Sequence, residues 1–200
     1  MQHRKRGLKP RASGLLGAAL LVIACGQRGA KPPPTDTVKD AAAAPVARPL
    51  DDAGLAALAA VTVADARVEV VRRAVDDFAA IVTAADGARA LVTISRCATC
   101  APIAVAAWER DRPSLTALYA PAAGDGLTLA LRDPPPWSTI ELVARRTVEG
   151  VAEVLAQRHW NDGAVQLAAT CEQPGGDEAE RACTAILAAA TKAYLPVLAP

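Results

Sequence analysis

The sequence predicts an α+β domain, in which a largely antiparallel sheet of about six to seven strands carries a mid-chain helix and a C-terminal helix. Three observations support this prediction. Short segments alternate apolar and polar residues, as half-buried strands do. Turn sequences such as Asp86-Gly87 separate neighbouring segments and indicate hairpins. Two longer segments have helical spacing and stand apart from the runs of strands, which argues against an alternating parallel fold.

The first three strands are predicted over Val68–Arg73, Phe78–Ala84 and Ala88–Arg96, and Asp86-Gly87 joins the last two as a hairpin. One helix over residues 65–84 is the competing prediction. It rests on apolar residues that also recur at helical spacing, namely Val68, Val71, Val75, Phe78 and Val82.

A helix follows over residues 101–119, with a break or kink expected near Pro113. Its apolar face comprises Val105, Trp108, Leu115 and Leu118. Two more strands are predicted where leucines alternate over residues 127–131 and where apolar residues alternate over residues 140–144. The segment Pro134–Pro136 interrupts the chain between these two strands.

The last hairpin pairs Val151–Trp160 with Ala164–Glu172 around Asn161-Asp162-Gly163, residue types that tolerate positive φ. A terminal helix of about four turns then opens at Asp177, whose carboxylate is expected to cap it. Lys192 is expected near the negative end of its dipole.

This succession of elements, from about residue 67 to residue 192 and ending in a strand, a cystine and a helix over Ala164–Leu187, resembles the PsbP/Mog1-like fold. That fold also occurs in many small bacterial lipoproteins. The resemblance implies a terminal helix packed on an antiparallel sheet, and it implies no function, because one fold hosts many functions.

The first 25 residues run from a basic stretch through an uninterrupted apolar segment, Leu15–Ala24, to a cysteine. The apolar segment is shorter than the about 20 residues that a membrane-spanning helix needs, and the order is that of a secretory signal. The junction Val22-Ile23-Ala24-Cys25 resembles a lipobox. The resemblance implies cleavage after Ala24, a diacylglycerol thioether on Cys25 and an acyl chain, such as palmitate, on the new amine. The residues after Cys25 include no aspartate at the next position, which favours the outer membrane of the cell envelope.

Three parts of the chain are therefore expected: a lipoprotein signal peptide over residues 1–24, a lipid anchor and disordered tether over residues 25–54, and one domain over residues 55–200. The tether is rich in Pro and Ala and cannot bury enough apolar surface to offset its ordering entropy. Five of the 22 basic residues precede residue 25 and none of the 21 acidic residues does, so the mature chain has a net charge of about −4. This mildly acidic charge argues against a nucleic-acid partner.

Four cysteines remain after lipidation, and an even number in an exported protein predicts two disulfides with three possible pairings. Cys171 shares the apolar face of its strand and Cys183 shares the apolar face of the terminal helix, so the two sulfurs should meet between sheet and helix. A metal site formed by all four thiols is disfavoured, since the paired knuckles of zinc sites are lacking and an oxidising compartment favours disulfides. Neither metal nor cofactor is expected.

Cys97-Ala98-Thr99-Cys100 lies where a strand ends and the mid-chain helix is expected to begin, a placement similar to that of a thioredoxin-like redox site. Three departures favour an inert structural cystine over thiol exchange: no aromatic residue precedes Cys97, the succession of elements differs, and Pro134–Pro136 shows no sign of being a cis-proline loop.

His159 is the only histidine after the leader, and its alternation with Gln157 and Glu153 predicts an exposed strand face. The tryptophans Trp108, Trp137 and Trp160 are expected in core or rim packing. The acidic pairs Asp51-Asp52, Asp76-Asp77 and Asp177-Glu178 are expected in turns or at a helix start.

The sequence contains no Gly-rich phosphate loop, Gly-x-Ser-x-Gly or His-Glu-x-x-His motif. The expected function is thus that of a non-catalytic, lipid-anchored envelope scaffold or binding module, with the membrane and an envelope protein as its partners. The alternative is a membrane-tethered thiol–disulfide oxidoreductase that uses Cys97 and Cys100.

Overall fold

A computed structural model describes residues 50–97, 100, 108–123, 126–133 and 137–199 of the protein. The described chain forms a seven-stranded sheet in which every neighbouring pair of strands is antiparallel, together with a mid-chain helix and a long C-terminal helix. The predicted α+β class is therefore confirmed. The elements in chain order are α1 (Asp52–Ala59), β1 (Ala66–Ala74), β2 (Asp77–Ala84), β3 (Arg89–Arg96), α2 (Trp108–Ala123), β4 (Gly126–Arg132), β5 (Thr139–Val148), β6 (Val151–Asn161), β7 (Val165–Pro174) and α3 (Asp177–Leu198).

The spatial strand order is β1-β2-β3-β7-β6-β5-β4, so the sheet consists of two meanders that meet where β3 pairs with β7. The first meander is β1 to β3 and the second is β4 to β7. The chain between them carries α2 and crosses from β3 to the far edge of the sheet, where β4 begins. Strands β1 and β4 are therefore the two edge strands.

The main core lies between one face of the sheet and α3. Apolar residues alternate along the four strands that α3 contacts, and α3 buries them against the sheet. Tyr194 of α3 stacks at a tilt on Phe78 of β2, with 5.9 Å between ring centroids. The other large, fully buried members are Val82, Val92, Ile94, Val154, Leu167 and Leu187.

A second, smaller core lies on the opposite face, where α2 packs on β4 and β5. Its buried members are Tyr119, Leu129, Leu142 and Ala144. Trp108 packs against them, and so do Leu115, Leu127, Ile140 and Leu155. The two helices thus cover different faces and different halves of the sheet.

The helix considered for residues 65–84 is wrong, because these residues form the hairpin of β1 and β2. Val68 lies opposite Val82 across the two strands. Asp76 has φ +63°, a left-handed conformation that interrupts a right-handed helix. The bulge between Val70 and Arg72 places one extra residue in β1, which explains why the apolar positions there do not alternate strictly.

Leu50, the first residue that the structure describes, is buried in the main core. The short helix α1 follows directly and was not predicted. Asp51 caps it by accepting a hydrogen bond from the backbone N–H of Gly54 at 2.9 Å. Leu55 and Leu58 bury the inner side of α1 against the main core.

Four details of the predicted helices are wrong. The helix α2 continues through Pro113, which is exposed, so that water can satisfy the carbonyl that the proline leaves without an N–H donor. The helix α3 has 22 residues rather than about four turns, because its apolar face continues through Leu195 and Leu198. Its N-cap is Gly176 instead of Asp177, and Lys192 lies well before its last turn.

Candidate functional site

The cysteines of the described domain form two disulfides, Cys97–Cys100 and Cys171–Cys183, with Cα atoms 5.5 and 5.4 Å apart. All four thiols are used in these bonds, so in this state they cannot act together as metal ligands. In the part of the chain that the structure describes, no group of three or more His, Cys, Asp or Glu side chains could hold a metal ion. The two cystines differ sharply in their surroundings.

Cys171–Cys183 joins β7 to α3 inside the main core. Both residues are inaccessible, with 1 % and 0 % of their surface exposed. The bond closes a loop with a sequence separation of 12 residues, for which the chain-entropy model gives a stabilisation of about 3 kcal/mol. This cystine has the position and burial of a structural link.

Cys97–Cys100 is half-buried and lies at the end of β3, on the sheet face opposite α3. The backbone N–H of Cys97 donates to the carbonyl of Ala164 at 2.8 Å, which fixes this cysteine beside the β6–β7 turn. The sulfur of Cys100 lies 3.5 Å from Oε1 of Gln166, and Nε2 of Gln166 donates to Oγ of Ser95 at 3.1 Å. A cystine sulfur carries no hydrogen, so the contact with Gln166 becomes a hydrogen bond only when the disulfide is reduced.

The predicted redox placement also required a helix N-terminus at Cys97. The described part of α2 begins at Trp108, and residues 101–107, on which the predicted helix start falls, lie outside the described residues. A helix dipole acts only over its first turn. Its effect on the pKa of Cys97 therefore stays a prediction.

His159 lies on the same sheet face, between Ile140 and Ala168 of the neighbouring strands, and its Nε2 is 3.3 Å from Oε1 of Gln157. It alternates with Gln157 as predicted, but it is half-buried rather than exposed. Burial lowers the pKa of His159 to about 4, so the ring is neutral at pH 7. Within the described contacts it touches neither Cys97 nor Cys100.

A buried ionic cluster on the α3 face was missed by sequence analysis. The carboxylate of Glu141, with 2 % of its side chain exposed, accepts from Nε of Arg158 and from Nε of Arg132, each at 2.8 Å. Asp133 adds a second carboxylate, which accepts from Oγ1 of Thr139 at 2.9 Å and lies 3.4 Å from Arg158. Two guanidinium groups and two carboxylates thus neutralise one another.

The register of the β5–β6 hairpin produces this cluster. The tight turn at Glu149-Gly150, where both residues have positive φ, places Val148 opposite Val151 and consequently Glu141 opposite Arg158. The signal in the sequence is a pair of opposite charges at equal distances on either side of a turn, on strand positions flanked two residues away mostly by apolar residues, namely Val143, Ala156 and Trp160. This signal identifies the pair only when the register of the β5–β6 hairpin is known.

The acidic residues and tryptophans singled out in the sequence make ion pairs, hydrogen bonds or packing contacts within the domain. Asp76 pairs with Arg96, Asp77 with Arg72 at 2.6 Å, and Asp177 with Arg145 at 2.8 Å. Trp160 is buried in the main core. Nε1 of Trp137 donates to the carbonyl of Ala199 at 3.2 Å, and Trp108 packs against the second core.

No family model matches this chain, and no curated protein matches it. The lipobox assignment and the similarity to PsbP/Mog1-like domains therefore stay predictions. Among the helices of the described residues, none is long and apolar enough to cross a membrane.

Proposed function

We propose that the chain is a lipid-anchored protein of the bacterial cell envelope whose α+β domain acts as a non-catalytic scaffold or binding module. The observation that supports this proposal best is the junction Val22-Ile23-Ala24-Cys25 at the end of an apolar segment too short to span a bilayer. The two cystines of the domain are in keeping with an exported protein.

The geometry of the domain gives the proposed tether a definite reach. Leu50, the first residue that the structure describes, is buried in the core and lies 25 positions after Cys25. A fully extended chain spans at most about 3.3–3.6 Å per residue, so the domain can act up to about 80 Å from its anchor. The carbonyl of Leu50 accepts from the N–H of Asp76 at 3.4 Å, so the proposed tether would join the domain beside the β1–β2 turn.

Mass spectrometry of the full chain purified from a bacterial membrane tests the anchor. We expect the mature chain to begin at Cys25 and to carry a diacylglycerol thioether and an N-acyl group, with incorporation of a labelled palmitate analogue. Cys25→Ser should abolish the label and release the protein from the membrane. A mature N-terminus at any other residue would refute the proposal. Turnover of a generic hydrolase substrate by the purified full chain would refute its non-catalytic part.

The half-buried Cys97–Cys100 cystine favours a second candidate, a tethered thiol–disulfide oxidoreductase. In the reduced protein the Cys97 thiolate would attack a disulfide of a client protein, forming a mixed disulfide and expelling one client thiolate. The Cys100 thiolate would then attack Cys97 in the mixed disulfide and release the second client thiolate. The client is reduced by two electrons, and the Cys97–Cys100 cystine is formed.

Peptide mapping of the full chain after equilibration in graded glutathione buffers separates the two candidates. The buried Cys171–Cys183 cystine is the internal control, because it should stay oxidised throughout. If Cys97–Cys100 is reduced well above about −300 mV, the range below which structural cystines lie, the exchanger is supported. If both cystines stay closed below that potential, the exchanger is excluded.

A further inference from the structure

The edge strand β1 has an unusually open outer side. It pairs with β2, and within the described residues no other strand pairs with its outer edge, while α1 contacts β1 through Arg73 of its second half. Residues 69–75 are all exposed, including Val70 at 38 % and Val71 at 48 %. An exposed edge strand offers unpaired backbone N–H and C=O groups to another strand.

The bulge at Val71 divides β1 into a regular half, Ala66–Val70, and a second half whose arginines already bind groups of the same chain. Arg72 pairs with Asp77, and Arg73 donates to the carbonyl of Asp52 at 3.3 Å. The regular half reads Ala-Arg-Val-Glu-Val. When two copies of this segment run antiparallel with Val68 at the centre, the basic residue of each copy faces the acidic residue of the other.

We propose that β1 pairs with β1 of a second copy of this chain, around a two-fold axis at Val68. In that register Arg67 of each copy lies directly opposite Glu69 of the other, so the dimer contains two Arg–Glu pairs. Val68 meets its own symmetry mate, and Ala66 meets Val70. The two seven-stranded sheets then form one continuous antiparallel sheet.

Charge complementarity selects a second copy over an unrelated strand. Arg67 and Glu69 lie two residues apart on one side of β1, and their own contact is loose, at 3.9 Å with 77 % and 59 % of the side chains exposed. Directly opposite residues on antiparallel strands have Cβ atoms about 4.5–5.5 Å apart, close enough for a better pair. The dimer therefore gains two cross-strand ion pairs and gives up only the weak local contact within each copy.

The anchor assists this pairing, a point that rests on the proposed function. The two-fold axis at Val68 places the two tethers on opposite sides of it, about 50 Å apart, because the β1–β2 turn beside Leu50 lies about eight residues along the chain from the axis in each copy. Each tether can reach about 80 Å, so both lipids can enter one bilayer. Two chains on one membrane experience a high effective concentration, which favours a small interface.

Sedimentation velocity of the purified full chain in detergent, at concentrations up to about 1 mM, tests the proposal. We expect a monomer–dimer equilibrium. Arg67→Glu alone or Glu69→Arg alone should raise the dimer Kd at least about tenfold, because both ion pairs become repulsive. The double variant Arg67→Glu/Glu69→Arg recreates both pairs with reversed sign and should restore the original Kd. Arg181→Glu, an exposed charge reversal on α3, is the matched control and should leave the Kd unchanged.

The register has its own test, because Val68→Cys should yield a disulfide-linked dimer on mild oxidation while Glu149→Cys should not. A wild-type chain that stays monomeric over the whole range overturns the proposal. A dimer that the single reversals do not weaken, or that the double variant does not restore, overturns it too. Cys25→Ser should dimerise in the same way in solution, so failure of the lipid anchor and failure of strand pairing give different results.

Discussion

Replacing Glu141 by Gln removes the negative charge placed between the guanidinium groups of Arg132 and Arg158. Only 7 % of the Arg158 side chain is exposed, so its charge cannot regain hydration without distorting the sheet. Arg132 is 49 % exposed and can turn to water. The cost of the substitution therefore arises mainly at Arg158.

Removing one partner of a buried ion pair costs about 3–5 kcal/mol. Asp133 lies 3.4 Å from Arg158 and compensates part of its charge, and the amide oxygen of Gln can still accept one hydrogen bond. We therefore expect Glu141→Gln to lower the free energy of unfolding by about 3 kcal/mol. For a domain of this size that corresponds to a fall in Tm of about 6–12 °C.

Urea unfolding followed by tryptophan fluorescence measures this change, since Trp160 lies in the main core. Glu109→Gln is the matched control, because Glu109 is 76 % exposed and pairs with Arg112 on the surface. It should change stability by less than about 0.5 kcal/mol. The double variant Glu141→Leu/Arg158→Met should be less destabilised than Glu141→Gln. It removes the buried Arg158 charge together with its partner, and Arg132 can turn to water. A loss below about 1 kcal/mol for Glu141→Gln would refute the reasoning.

Three further predictions concern the stability of the domain. The double variant Cys171→Ala/Cys183→Ala should lose about 3 kcal/mol in urea unfolding, and an unchanged midpoint would contradict the structural role of this cystine. Because the pKa of His159 falls to about 4 in the folded chain, the unfolded chain binds more protons between pH 6.5 and 4. Stability should therefore fall as the pH is lowered through that window, by up to about 1.4 kcal/mol per pH unit. His159→Gln should flatten this pH dependence. Identical pH profiles for the two proteins would exclude a contribution from His159. The Tyr194 hydroxyl is buried without a hydrogen-bond partner among the described residues, and burial raises its pKa to about 12. Tyr194→Phe keeps the ring against Phe78 and should raise stability by about 1 kcal/mol, whereas a loss in thermal unfolding would reveal a partner for the hydroxyl.

Local signals were sufficient for most of the sheet. Alternation and turn residues located all seven strands, because a strand with one buried face and a tight turn that needs positive φ both have short-range signatures. Gly87 and Gly163 do adopt φ of +91° and +94°. The oxygen Oδ1 of Asp162 accepts from the N–H groups of Ala164 and Val165, each at 2.8 Å, as expected for a turn residue of this type.

Helix ends and the short helix α1 depended on long-range packing. Leu55 and Leu58 stabilise α1 only because α3 lies beside them, and nothing in eight residues of local sequence indicates that neighbour. The extra turns of α3 likewise depend on burial of Leu195 and Leu198 in the main core. Pro113 is accepted in α2 because it lies on the exposed side of the helix.

The sequence alone determined the α+β class, the order of strands and helices along the chain, and the expectation of a lipid anchor at Cys25, because these rest on periodicity, turn chemistry and a contiguous motif. The apolar faces of the last strand and the terminal helix also predicted the buried contact of Cys171 with Cys183. Only the tertiary structure decided that Cys97–Cys100 is half-buried beside Gln166, and which charges meet inside the sheet. The meeting of Glu141 with Arg158 depends on a hairpin register, and the sequence of either partner alone does not encode it.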